Sequence, residues 1–225
     1  MCAGSRSAAS QAAKAVEYMP YEPVATNPVV FMDISIEGSM AGRVQIELFS
    51  DIVPKSAENF RSLCTGERSE NFYKGVPFHR IVSNIFVQGG DTVCKDGRGN
   101  KSIFGYPFMD ESFEGKAGKH IPGTVALSQS APNQNGSQFF FNLSEASHLN
   151  GKFVVVGQVL DGWEIIRKLS KCGSRCGTPV TRAWIANCGQ CGGFEVSDLQ
   201  SMQGVRDMND NIPGKEILSM VQPRR

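Results

Sequence analysis

Met32-Asp33-Ile34-Ser35-Ile36-Glu37-Gly38-Ser39-Met40-Ala41-Gly42-Arg43-Val44-Gln45-Ile46-Glu47-Leu48 alternates apolar and polar residues on both sides of a glycine-bounded turn. Side chains of a strand point to opposite faces with period two, so this pattern predicts a hairpin with one buried and one wet face. Working outward, Pro54 suits the first position of a helix, where a missing N–H costs nothing. Ala57, Phe60 and Cys64 then form one apolar stripe, and Gly66 is a natural stop. Short strand candidates follow at 78–82, 85–88, 124–128, 138–143, 153–159 and 179–188, with a glycine-rich stretch from 89 to 123. A second helix at 163–170 sets Ile165, Ile166 and Leu169 on one side. Many short strands with only two helices do not make repeating βαβ units. The expected fold is mainly β, a closed eight-stranded antiparallel barrel with two capping helices, since closure removes exposed edges.

The 225 residues carry 23 Lys+Arg against 22 Asp+Glu, a formal charge of +1. Such a balance offers no single-sign field to a nucleic acid or an anionic membrane surface. A 40% hydrophobic content is too apolar for general disorder. No stretch approaches the roughly 18 continuous apolar residues of a membrane span. The organisation expected is an arm at 1–26, one domain at 27–190 and an extension at 191–225. The arm lacks the apolar run of about 7–15 residues that a secretory signal needs, so a cytoplasmic setting is expected, with mitochondrial or assembly-associated alternatives. In the extension, Val196, Leu199, Met202 and Val205 make a weak helical stripe, and Ile217, Leu218 and Val221 another. These arms are where an assembly partner is expected to attach.

Cys172, Cys176, Cys188 and Cys191 have the look of two zinc knuckles. A metal site and a reversible disulfide are both open; the favoured reading is reduced thiols with no metal. Gly97-Arg98-Gly99-Asn100-Lys101-Ser102 lacks the second glycine that a phosphate loop places directly before Lys-Ser. No basic-aromatic strip of an RNA-recognition module is present.

Several blocks in order along the chain are similar to one family. They are Val53-Pro54-Lys55-Ser56-Ala57-Glu58-Asn59-Phe60-Arg61, Phe78-His79-Arg80-Ile81-Val82, Gln88-Gly89-Gly90-Asp91, Asn135-Gly136-Ser137-Gln138-Phe139-Phe140, Leu149-Asn150-Gly151-Lys152 and Asn187-Cys188-Gly189-Gln190. The stretch from about 27 to 190 resembles the cyclophilin family of peptidyl-prolyl cis-trans isomerases. The resemblance implies isomerisation of X–Pro bonds in peptides and proteins, without a cofactor. It implies that Arg80 is the catalytic arginine, that Gln88 orients it and the substrate carbonyl, and that Phe140 is the aromatic floor of the proline pocket. Gln138 and Leu149 match pocket positions, and Gly97 and Gln129 match positions that take the peptide backbone.

Four places depart from the family pattern. Ile85-Phe86 replaces Phe-Met, Ser128-Gln129-Ser130 replaces Ala-Asn-Ala, His148 replaces a tryptophan and Phe153 replaces the pocket histidine. Phe86 compensates in volume for the lost aromatic and methionine. These changes imply an altered substrate preference and a weaker hold on cyclosporin-type ligands. The rival reading is a slow scaffold subunit that binds Pro-containing segments within a larger assembly.

Overall fold

The structure is a computed structural model that describes residues 21–68, 70 and 72–192. Strands β1 (Val29–Ile36) and β2 (Ser39–Leu48) pair antiparallel with Val30 opposite Ile46 and Met32 opposite Val44. All four of these residues are fully buried, as is Leu48, so the alternation did select the core-facing set. The opposite face is not wet along its whole length. Gln45 and Glu47 are buried too, and Val24 and Asn27 cover Glu47. Val24 N and Asn27 Nδ2 donate to Glu47 Oε1 at 3.0 and 2.8 Å. Asn27 Oδ1 accepts from Ser50 Oγ and the Asp51 N–H, and Lys116 Nζ stands 4.6 Å from the Tyr21 ring. Residues Tyr21, Val24 and Asn27 therefore pack on the domain.

Helix α1 (Pro54–Thr65) starts on its proline. It stops at Gly66, whose φ of 75° lets its N–H cap Ser62 O. The other strands are β3 (Arg80–Val82), β4 (Phe86–Gly89), β5 (Thr124–Gln129), β6 (Asn135–Asn142), β7 (Val155–Asp161) and β8 (Ala183–Gln190). Helix α2 (Trp163–Lys171) buries Ile165, Ile166 and Leu169. All eight strands form one antiparallel sheet in the order β3-β4-β6-β5-β7-β2-β1-β8.

That sheet is a half-barrel, and the closed barrel expected from the sequence is corrected here. The outer strands β3 and β8 are not paired as a ladder. The segment just ahead of β3 reaches β8 instead, through Gly75 N to Ile185 O at 2.7 Å and Phe78 N to Ala183 O at 3.0 Å. Between them Pro77 faces Trp184 in an isolated bridge. A proline has no N–H for a ladder, and β3 is only three residues long. Inside the curve lie Phe60, Tyr73, Phe78, Phe139 and Phe141, with several rings in edge-to-face contact. The helical stripes expected in 191–225 lie outside the described residues. Among the described residues no helix is long and apolar enough to cross a membrane.

Candidate active site

Cross-strand register places three of the sequence-selected residues in one line. Arg80 on β3 sits opposite Gln88 on β4, which sits opposite Phe140 on β6, which sits opposite Ala126 on β5. Residues directly opposite share a face of the sheet. The next row, Ile81, Val87, Phe141 and Val125, faces the other way and is fully buried in the core. The line from Arg80 to Ala126 thus lies on the outer surface, grading from an exposed guanidinium to a buried aromatic floor.

Phe140 is 6% exposed and is walled by rings. Phe86 meets it edge-on at 6.1 Å between centroids, and Phe153 at 5.6 Å. Leu149 and Phe113 complete this second apolar cluster. The Arg80 guanidinium carbon stands 4.9 Å from the centre of the Phe86 ring, a cation–π contact at the edge of this ring cluster. Ile85, His148 and Ser130 are exposed, with His148 in a single 3₁₀ turn (Ser147–Leu149) beside the pocket.

His120 was not singled out by sequence, yet it lies flat on Phe140 with 9° between planes and 5.8 Å between centroids. Its Nδ1 accepts from Asn142 Nδ2 at 3.2 Å, and its Nε2–H donates to Phe153 O at 3.1 Å. Asn142 Nδ2 also donates to Thr124 Oγ1. Burial lowers the His120 pKa, so the ring is a neutral spacer under the floor. It stands 20 positions before Phe140 on an irregular segment, and no local pattern marks it.

On the other side of Gln88 a polar network carries the groove. Gln138 Nε2 donates to Gly97 O at 2.9 Å and to Gly99 O at 2.8 Å. Gln88 Nε2 donates to Gln138 Oε1 at 2.9 Å and to Ser128 Oγ at 3.1 Å. The Gln88 amide nitrogen is therefore turned toward β5 and β6, while Arg80 lies on the β3 side. Gln129 points away from this network, donating to Lys152 O and accepting from the Gln134 N–H. Gly97 has φ 96° and its missing Cβ would lie 2.7 Å from His79 Cδ2, so only glycine fits.

Asp91 holds the loop from below. Its two oxygens accept the N–H groups of Val93, Cys94, Asp96, Gly97 and Gly99. Burial would raise its pKa, but these backbone donors prevail and hold it below the usual carboxylate value. An aspartate at the head of a glycine-rich run is the signal that could have marked it. Asp91, Cys94 and Asp96 also bring three ligand-type atoms within 4.8 Å, but the Asp91 oxygens already serve those five N–H groups.

An open cavity of about 370 Å³ lies beside Arg80, bordered by His79, Gln88, Gly97, Cys176 and Thr178. The loop from Ser174 to Gly177 reaches it by pairing with β3, with Ile81 N donating to Gly177 O at 2.8 Å. Hydrogen bonds from Ser174 and Thr178 bring the exposed Cys176 thiol down to about 7. Burial instead pushes Cys188 up to about 12 and Cys191 up to about 11. Among the described residues, no three of Cys172, Cys176, Cys188 and Cys191 come together as metal ligands.

The chain was compared with known families. The family described as "Cyclophilin type peptidyl-prolyl cis-trans isomerase/CLD" matches residues 31–190, which is more than half of the chain and spans every strand of the sheet but the first two residues of β1. With its β-rich fold and this match over the whole domain, the chain belongs to the cyclophilin-type peptidyl-prolyl cis-trans isomerases, enzymes that act on proline-containing peptides.

Proposed function

We propose that the outer line of Arg80, Gln88 and Phe140 is the isomerisation site, with Arg80 stabilising the twisted imide. The proline ring rests on Phe140, between Phe86, Phe153 and Leu149, where its apolar surface leaves water. Rotation about the C–N bond meets a barrier of about 18–20 kcal/mol, because resonance gives the bond partial double-bond character. Twisting ends that resonance and localises a lone pair on the proline nitrogen. A guanidinium at the lip of the pocket donates to that lone pair in the twisted state and gains little from the planar one. Such a difference is what lowers a barrier. No bond is made or broken, and no cofactor enters the step.

The observation that carries this reading is the shared row, which sets a charged donor and an aromatic floor on one face two strands apart. The physiological use, in folding or in switching a folded protein, follows from access to the groove. The slow-scaffold reading is not favoured by the family assignment.

The test is NMR exchange spectroscopy on a short Ala-Pro peptide with catalytic amounts of protein. Wild type should accelerate cis–trans exchange, and Arg80→Ala should cut the acceleration about 100- to 1000-fold, the usual effect of losing one transition-state donor. An Arg80→Ala variant as fast as wild type would sink the role given to Arg80. A wild type that shifts peptide resonances without accelerating exchange would sink the activity itself.

A further inference from the structure

The direction of every hydrogen bond around Gln88 is fixed by two backbone carbonyls. Gly97 O and Gly99 O can only accept, so the atom of Gln138 that faces both must be its NH₂ group. That turns Gln138 Oε1 toward Gln88, where only an N–H can meet it. One hydrogen of Gln88 Nε2 is thereby committed. The second points at Ser128 Oγ, 3.1 Å away. An amide nitrogen has two hydrogens, and both are spent inside the protein.

Ser128 stands two residues after Ala126 on β5, so strand alternation puts its side chain on the same groove-facing side. The β5–β6 register shifts between Leu127 and Gln129, where Gly136, Ser137 and Gln138 of β6 stand against Ser128 alone, so the extra residues are on β6. Ser128 is half-buried, and its hydroxyl lies on the groove side with Gln88. Its carbonyl is anchored as well, accepting from Asn100 Nδ2. An alanine at 128 would leave the backbone as it is and free one Gln88 hydrogen.

We infer that Ser128 is a positioning residue that sets the rate and substrate preference of this site, by holding the Gln88 amide hydrogen that a bound peptide carbonyl would take. This rests on the proposed function, which places Gln88 in the isomerisation row between Arg80 and Phe140, within reach of a bound peptide's carbonyl groups. A peptide entering the groove must break the Gln88–Ser128 bond before it gains the same donor. Peptides whose own groups hydrogen-bond Ser128 in exchange lose least, which makes position 128 a filter on the residues flanking the proline.

The experiment measures kcat and KM for an Ala-Pro peptide by NMR exchange, with the peptide Kd taken from chemical-shift titration. It compares wild type, Ser128→Ala, Ser128→Thr, Gln88→Leu and the Ser128→Ala/Gln88→Leu double variant. Ser128→Ala should raise kcat/KM about three- to tenfold, the effect of one net hydrogen bond, and should tighten the peptide Kd. Ser128→Thr keeps the hydroxyl and should stay within about twofold of wild type. With Gln88 already replaced, adding Ser128→Ala should change nothing, which a merely structural effect of the alanine would not reproduce. Equal or lower kcat/KM in Ser128→Ala, or a gain that persists without Gln88, would overturn the inference. Should wild type fail to accelerate exchange, the proposed function falls on that result alone. The titration then decides the role of Ser128, because tighter peptide binding by Ser128→Ala supports it and unchanged binding refutes it.

Discussion

Asp91 contributes through charge. A carboxylate at the centre of five N–H groups supports the glycine loop that Gln138 then meets from above. Its folded-state pKa lies below the ordinary 3.8, so the proton binds the unfolded chain more readily. By linkage, the stability Asp91 contributes is complete above the unfolded-state pKa and is lost as pH falls through the folded-state value. Hydrogen bonds to a charged acceptor contribute about 1.5–3 kcal/mol each, so Asp91→Asn should cost about 3–5 kcal/mol at neutral pH. Urea unfolding from pH 7 to pH 3 checks both points. Wild type should lose stability toward the acid end, and the gap to Asp91→Asn should narrow there. A gap that stays constant with pH would rule out the charge as its origin.

Strand β6 separates two jobs within three consecutive residues. Phe139 and Phe141 are fully buried among the core rings, while Phe140 faces the groove. Phe141→Ala should cost about 3–5 kcal/mol in chemical denaturation, and the molecules that remain folded should bind Ala-Pro peptides as wild type does. Phe140→Ala should lose peptide affinity at least tenfold by titration, at a smaller cost in stability. Equal effects on binding from both would contradict the two-faced reading. Three consecutive phenylalanines carry no such alternation as letters, whereas the β1–β2 hairpin, Pro54 at the start of α1 and Gly66 at its end were legible in the sequence, because period and capping are local. What was not legible depends on distant partners. That the sheet stays a half-barrel turned on Pro77 meeting Trp184, and burial of Glu47 on a backbone N–H 23 positions earlier. The Gln88 amide takes its direction from Gln138, 50 positions away, and His120 gains its place only when β6 is laid over it.

For the molecule as a whole, the segment ahead of β1 is part of the domain. Asn27 bonds to Glu47, Ser50 and Asp51, and Val24 supplies a second donor to the buried Glu47 carboxylate. A fragment spanning 21–192 should therefore be more stable than one spanning 27–192, by about 1–3 kcal/mol in urea unfolding, since a buried acceptor loses a partner in the shorter chain. Both fragments should still accelerate prolyl exchange, because no residue of the Arg80 row lies in 21–26. Equal unfolding midpoints would show that the segment adds nothing.

The register that alternates core and groove residues along β3, β4 and β6 also bears on how such a protein can change. Odd-numbered positions 81, 87, 139 and 141 are buried in the core, and even-numbered positions 80, 86, 88 and 140 lie on the opposite face, where the isomerisation site is proposed. Two selective demands thus fall on separate letters of the same strands. A lineage, or a combinatorial library, can explore new peptide specificities at the even positions while the odd ones keep the scaffold intact.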